Sequence, residues 1–403
     1  MSNLSISHVD PDDESLLVHK TIKVTKDISI DTPFKLLDFN DSPGIRKLSN
    51  LNLRHIDKNP LIEKSTLVNP SAYEMAINDP DVGYLQDSYE YFKGISSLKD
   101  KLILNTLTFK FNPYSLDKCA DKIRSFLNIY YGRTDLLFIP NIKVLQYENK
   151  KKTWIMGKSE YVSYIDEAYD NLSFRNKKPI FAPISLRYGV LSFKEMVTDF
   201  LDKGYRYFWL DFEGSGSMRY AAQIRGFHEV VERAGLIDEA ILYATNVRRE
   251  LNPHIPDASC GASDVLSSPL GVDFIGVNRA PLGGGGKSTY TKEQLVAHKA
   301  RFFDRTDYNY TKYNVFNRKT ELYKSYNLND DLIYKHPRFS SNYANSFEIN
   351  SELSHHRHLM YSDESIMMYL REKRAISPNY FKKFEKIVTG KIRSENTTLN
   401  DFF

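Results

Sequence analysis

The chain has 403 residues, 41% of them hydrophobic and 26% charged, with a formal net charge of +4; this is the composition of a globular protein with room for one large core plus appendages, or for two domains. Two cysteines, Cys119 and Cys260, exclude a disulfide framework and a cysteine-based structural zinc site, and both read as small buried hydrophobes. No apolar run is long enough to cross a bilayer, and Met1 to Asp10 lacks the apolar segment of a signal peptide, so a cytoplasmic protein with no membrane partner is expected.

Residues 1–20 are polar, acidic and aperiodic and are expected as a flexible tail. Residues 21–24 and 28–30 alternate as a small hairpin that leads through Thr32-Pro33 into a strand near residue 35, and 41–64 reads as loop. A short strand over 65–69 precedes Pro70, a residue suited to a first helical turn, and a helix over 71–77. The next strand spans 102–109; Asn112 to Ser115 caps an amphipathic helix over 116–131, and a strand follows at 135–141. Residues 146–153, with Lys150, Lys151 and Lys152, read as a solvated connection. Helix 161–172, strand 179–185 and helix 192–203 come next. The rhythm is clearest from Tyr205 to Lys287: a strand over 205–213, a helix over 218–234 closed by Gly235, a strand over 240–246, a short helix over 262–267 and a strand over 272–279.

Strands near residues 35, 67, 105, 138, 182, 208, 243 and 275 make eight, so the expected fold is α/β, a (β/α)8 TIM-like barrel over 21–288. Residues 289–403 are expected as a Tyr/Lys-rich segment of little periodicity and a C-terminal helical extension over 351–388.

In parallel α/β folds the loops at the carboxyl ends of strands converge on one face, which marks Asp211, Glu213, Asn246, Arg248, Asn278 and Arg279. Asp211 and Glu213 lie two apart and on a strand would share a side, as nucleophile and general acid or as metal ligands; the plainer alternative is a helix cap and an ion pair with Arg219 or Arg206. Asparagine and arginine at the later exits suit a phosphate or a base edge, or pair with neighbouring carboxylates. The run Gly283 to Gly286 before Lys287 is no P-loop, because Pro281 stands where the first glycine belongs. Gly284, Gly285 and Lys287 can still bring backbone amides and a charge to an anion, or form a flexible lid. His355, His356 and His358 lack the spacing of a helical metal pair, and no metal or cofactor is expected. Tyr290, Tyr308, Tyr310 and Tyr313 among basic residues fit either a base-stacking surface or a wet surface loop.

Four segments resemble the tRNA-guanine transglycosylase family, including its archaeosine-forming and DNA-modifying relatives. Ile30-Asp31-Thr32-Pro33 is similar to its opening strand, and Pro183-Ile184-Ser185-Leu186-Arg187-Tyr188-Gly189 stands at its Gln-Gly strand. Pro269-Leu270-Gly271-Val272-Asp273-Phe274 looks like its Leu-Gly-x-Asp-x-Phe segment, and Arg371 to Phe384 like its closing helix. The resemblance implies a (β/α)8 barrel that exchanges guanine for a deazaguanine in tRNA or DNA, singly or as a homo- or hetero-dimer, with Asp211 or Asp273 attacking the sugar, Glu213 moving a proton and Ser185 among the substrate-binding residues. The sequence departs from the family at Gly276, where the nucleophilic aspartate belongs, and lacks both the Asp-Ser-Gly-Gly-Phe-Gln motif and the zinc cysteines. Two alternatives therefore stand beside the exchange enzyme: a non-catalytic nucleic-acid-binding or partner subunit, and an unrelated barrel enzyme acting on a phosphorylated small molecule.

Overall fold

A computed structural model describes residues 4–40, 53, 55–79, 93, 95, 98–115, 120–148, 151–174, 177–249, 258–279, 291–313 and 325–389. It opens with an antiparallel sheet of β1 (Ser5–Pro11), β2 (Val18–Lys23) and β3 (Ser29–Asp31). Within the stretch expected as a flexible tail, Ser5–Pro11 is therefore a strand paired with the one that begins at Val18. Its outward residues are polar, but Leu4, Ile22 and Ile30 are buried, which is enough apolar contact to order it.

The parallel strands follow. β4 (Phe34–Lys35) and β5 (Leu37–Asp38) are successive parts of one extended segment. After β6 (Leu61–Val68), helix α1 (Pro70–Asn78) starts on Pro70, with Asn69 accepting from the amide of Ala72. Next come β7 (Leu102–Phe109), α2 (Ala120–Gly132), β8 (Leu137–Phe138) and β9 (Asn141–Ile142). The expected lysine-rich loop is a hairpin of β10 (Leu145–Glu148) and β11 (Lys151–Trp154). The chain continues through α3 (Lys158–Ser173), β12 (Ile180–Pro183), α4 (Val190–Asp202), β13 (Tyr207–Asp211), α5 (Ala221–Arg233) and β14 (Ile241–Thr245). Gly235, at φ 69°, takes the left-handed turn that ends α5. β15 (Ala258–Gly261) precedes β16 (Phe274–Ile275).

Two sheets result, in the orders β4-β16-β14-β13-β12-β8 and β5-β6-β7-β9, and every pairing in them is parallel. Segment 34–38 contributes to both sheets, and so does segment 137–142. The chain is thus α/β with parallel sheets. One face of these strands gathers Leu61, Leu104, Phe138, Phe181, Trp209, Ile241 and Phe274 into a cluster with Leu4, Ile22 and Ile30 of the first sheet. Phe138 and Phe181 stack there at 4.5 Å.

The last part of the chain is more ordered than its weak periodicity suggests. α6 (Lys292–Lys299) opens on a capping box of Thr291 and Gln294. β17 (Arg301–Asp304) and β18 (Asn309–Lys312) join β15 in an antiparallel sheet, followed by α7 (Asp330–Lys335). The single helix expected over 351–388 is three: α8 (Pro337–Leu359), α9 (Ile366–Arg371) and α10 (Pro378–Val388). α8 starts fourteen residues earlier than the pattern indicates, because its buried face there mixes the polar Ser340, Ser341, Asn345 and Ser346 with Phe339, Tyr343 and Ala344, which blurs the apolar stripe. α8 packs on β4, β5 and β17, and α10 on α5, so the extension lies against the strands and their helices.

Candidate functional site

The carboxyl ends of β13, β14 and β16 converge on Asp211. Its Oδ1 accepts from the Glu213 amide at 2.8 Å and from Asn246 Nδ2 at 3.2 Å; its Oδ2 accepts from Thr108 Oγ1 at 3.0 Å and from Arg279 Nη2. Burial is the largest influence on this carboxyl and pushes it up, but the Arg279 guanidinium and the donated bonds together hold it below the usual range. Asp211 is ionised and fully bonded.

Arg279 is held from one corner. Its side chain is 9% exposed, and Nε and Nη1 are buried without a hydrogen-bond partner among the described residues. Unpaired guanidinium nitrogens in a protein interior are costly.

Asn278, the residue before it, donates to Asp264 Oδ2 at 3.2 Å. The same oxygen accepts from the Tyr310 hydroxyl at 2.7 Å and pairs with Arg249 Nε at 3.5 Å, while the Arg249 guanidinium lies 3.8 Å over the Tyr310 ring. Asp264 Oδ1 is buried and has no hydrogen-bond partner among the described residues. Asp264 was not among the residues that sequence singled out, since it sits in the expected short helix over 262–267 and at no strand exit.

Glu63, on β6, crosses toward the same end. It accepts from Thr106 Oγ1 at 2.6 Å, Thr245 Oγ1 at 3.2 Å and the Val277 amide at 2.6 Å, and its burial raises its carboxyl. A Cβ on Gly276 would lie 2.3 Å from the Tyr243 hydroxyl and 2.6 Å from Glu63 Oε2. A side chain at position 276, aspartate included, would therefore have to displace Tyr243 and Glu63. Lys35 is buried beside this strand and donates to the Gly276 carbonyl, with burial drawing its ammonium down.

The remaining expectations divide. Glu213 does not act beside Asp211: its φ of 49° ends the strand alternation, and its Oε2 accepts from Arg187 Nε at 3.0 Å and Nη2 at 2.7 Å. Neither Arg206 nor Arg219 takes that place; Arg206 binds Glu239 and Arg219 lies over Tyr220. Ser185 is buried just past β12, its hydroxyl 3.4 Å from the Arg187 amide. Arg248 is exposed, and its amide donates to the Ser215 carbonyl. Trp154, half-exposed at the end of β11, stacks on Tyr188 at 5.6 Å.

Asp273 lies at the wrong end for catalysis with these groups. It precedes β16, where Lys20 reaches it at 3.1 Å, the Leu242 amide at 2.8 Å and Thr32 Oγ1 at 3.4 Å. Lys20 also donates to the carbonyl of Ala240, which precedes β14, so this pair ties the first sheet to the amino ends of the strands. Gly284, Gly285, Lys287 and Tyr290 fall outside the described residues. Tyr308, Tyr310 and Tyr313 are buried, with hydroxyls on Glu352, Asp264 and Asp330, and so form no stacking surface. His355, His356 and His358 lie on α8 and diverge: His356 is buried between Ser268 and Tyr308, His355 rests on Tyr369 and His358 is exposed. Among the described residues no group of three His, Cys, Asp or Glu side chains is arranged to hold a metal.

No family model matches the chain, and no curated protein does. Solved structures that resemble it include a thermostable mutant of a xylanase from Cellvibrio japonicus, 11% identical, covering 62% of this chain and 86% of that one with a TM-score of 0.38. A phospho-2-dehydro-3-deoxyheptonate aldolase from Thermotoga maritima is 10% identical, covering 63% of this chain and 62% of that one at a TM-score of 0.32. The carboxyl transferase domain of pyruvate carboxylase from Rhizobium etli is 9% identical, covering 86% and 52% at 0.37. Likenesses this distant say nothing about activity.

Proposed function

We propose that the parallel strands close as a (β/α)8 barrel whose carboxyl-end mouth is the active site of an enzyme acting on a phosphorylated small molecule. Closure is supported by segment 34–38, which pairs with β16 through Phe34 and Lys35 and with β6 through Leu37 and Asp38. The observation that carries the substrate class is Arg279, a buried guanidinium anchored at Nη2 by ionised Asp211 and unpartnered at Nε and Nη1. A guanidinium fixed in this way is preorganised for phosphate oxygens. Asp211 is a positioning residue, since its own oxygens are taken. Calorimetric titration with inorganic phosphate tests this. Wild type should bind, and Arg279→Gln should weaken binding by roughly tenfold or more, the worth of one or two charge-assisted bonds. Failure of the wild type to bind phosphate sinks the reading.

A second reading is the transglycosylase-like exchange of guanine for a deazaguanine in tRNA or DNA. It is favoured by Asp264, which presents a carboxylate oxygen without a hydrogen-bond partner, as a nucleophile displaced from position 276 would. Incubation with labelled guanine and bulk tRNA or DNA decides: this reading needs incorporation by wild type and its loss in Asp264→Asn.

A further inference from the structure

Residues 371–386 carry Arg371, Lys373, Arg374, Lys382, Lys383 and Lys386 against Glu372 and Glu385, a net of +4 that equals the formal net charge of the whole chain. The remainder of the sequence is balanced, so the excess is gathered in one place. On α10 it is also sorted by side. Phe381, Phe384, Ile387 and Val388 are buried, and the helix packs on α5, while Lys382, Lys383 and Lys386 are exposed. Lys386 follows the other two by four and three residues, so the lysines share one outward face. None of them has an ion-pair or hydrogen-bond partner among the described residues, whereas Arg371 is taken by Glu385 and Arg374 by Asp307. The helix that presents them is anchored at both ends: Ser377 caps it by accepting from the Tyr380 amide, and Arg225 Nη1 donates to the Ile387 carbonyl at 2.8 Å. The Tyr380 hydroxyl lies 3.5 Å from Ser217 Oγ, just past β13, so α10 starts at the carboxyl-end rim of the strands and runs along α5.

We propose that the outer face of α10, through Lys382, Lys383 and Lys386, binds the phosphate backbone of a nucleic acid. Three features select that partner. Phosphates recur about every 3.4 Å along each strand, so a helix face roughly 16 Å long meets several of them. Beyond Pro378, the exposed residues of α10 are Asn379 and the three lysines, which gives a protein partner no apolar centre to bury. An anionic membrane is held by an apolar face that inserts as well as by charge, and the apolar face of α10 is already covered. Ammonium groups on flexible stems contact phosphates and read no bases, so binding is independent of sequence and weakened by salt. The proposal is independent of both readings of the strand-exit site.

The test is fluorescence anisotropy of the full chain with short labelled RNA and DNA of random sequence, single-stranded and duplex, over a series of salt concentrations, with co-sedimentation on phosphatidylserine vesicles beside it. Wild type should bind nucleic acid, with affinity falling steeply as salt rises. The triple variant Lys382→Gln, Lys383→Gln, Lys386→Gln should bind about tenfold or more weakly at low salt, and its slope of log affinity against log salt should be shallower by about 2–3, the worth of three phosphate contacts. Lys23→Gln, Lys26→Gln, Lys99→Gln removes the same charge from exposed positions elsewhere and should stay within about twofold of wild type. Melting curves confirm that both variants are folded. The proposal is overturned if wild type binds no nucleic acid at low salt, if it binds the vesicles as well as it binds nucleic acid, if the α10 variant keeps the affinity and slope of wild type, or if the control variant loses as much.

Discussion

The two ends of the parallel strands each carry a buried ion pair, and they are finished differently. At the amino ends, Asp273 is matched on both oxygens by Lys20, Thr32 and the Leu242 amide, and Lys20 also binds the Ala240 carbonyl. Leu4, Ile22 and Ile30 of the first sheet close over this end with an apolar cluster. At the carboxyl ends, Asp211 is equally well bonded, but its partner Arg279 keeps two nitrogens unmatched, and Asp264 keeps an oxygen. One pair is saturated; the other keeps polar atoms without a partner among the described residues, which is what the proposed function rests on. A buried ion pair is thus no sign of function until the spare capacity of both partners is known.

The largest test of that contrast is to remove each carboxylate charge. Asp273→Asn leaves Lys20 buried with its charge uncompensated and should cost about 3–5 kcal/mol in urea unfolding without touching phosphate affinity. Asp211→Asn should cost less, roughly 1–3 kcal/mol, because the new amide keeps an oxygen for Arg279, and on the proposed function it should weaken phosphate binding as Arg279 loses its charged anchor. Equal costs for the two, or an effect of Asp273→Asn on binding, would erase the distinction.

Acid should attack the amino end next. His228 is packed so tightly on Gly271 that a Cβ there would lie 2.2 Å from its Nε2. Burial first, and the Lys20 charge second, pull its pKa down to about 3, and burial takes His356 to about 4. A histidine whose folded pKa is below its unfolded value of about 6.5 stabilises fully above that pH and loses the contribution as pH falls toward the folded value. Unfolding free energy should therefore drop by about 2–3 kcal/mol per histidine between pH 7 and pH 4.5. His228→Asn should roughly halve that slope, and stability unchanged from pH 7 to pH 5 would contradict it.

A smaller effect is expected from Gly276→Ala at the carboxyl end. The new methyl meets Tyr243 and Glu63, for a loss of about 1–3 kcal/mol in melting or urea experiments. A neutral outcome would mean that Glu63 can withdraw and that the polar layer there is less fixed than its three accepted bonds indicate.

How far the sequence spoke for the structure depends on the kind of signal. Short apolar runs placed the strands near 35, 105, 138, 182, 208, 243 and 275, and the strand-exit rule led directly to Asp211, Asn246, Asn278 and Arg279. Asp273 came from the family resemblance instead, through the Leu-Gly-x-Asp-x-Phe segment, and that segment leads into β16 rather than out of it. Glu63 and Lys35 were invisible for another reason: a charged residue inside a strand breaks the hydrophobic pattern that reveals strands, and β6 accordingly begins earlier than the expected 65–69. Asp264 had no local signal. Its partners come from Arg249, Asn278 and Tyr310, which the chain brings together only on folding.

The polar inner face of α8 has a further consequence. Asn350 exchanges both of its amide groups with the Lys35 peptide, at 2.7 and 2.8 Å, and Asn345 does the same across Phe303 and Arg301 at 2.8 Å each. Each side-chain amide thereby imitates the neighbouring strand that β4 and β17 lack at those points. Apolar contacts tolerate a helix that slides by a fraction of a turn, but paired directional bonds do not. α8 is a caliper: it fixes the spacing between the parallel strands and the later antiparallel sheet, and so sets where Tyr310 meets Asp264.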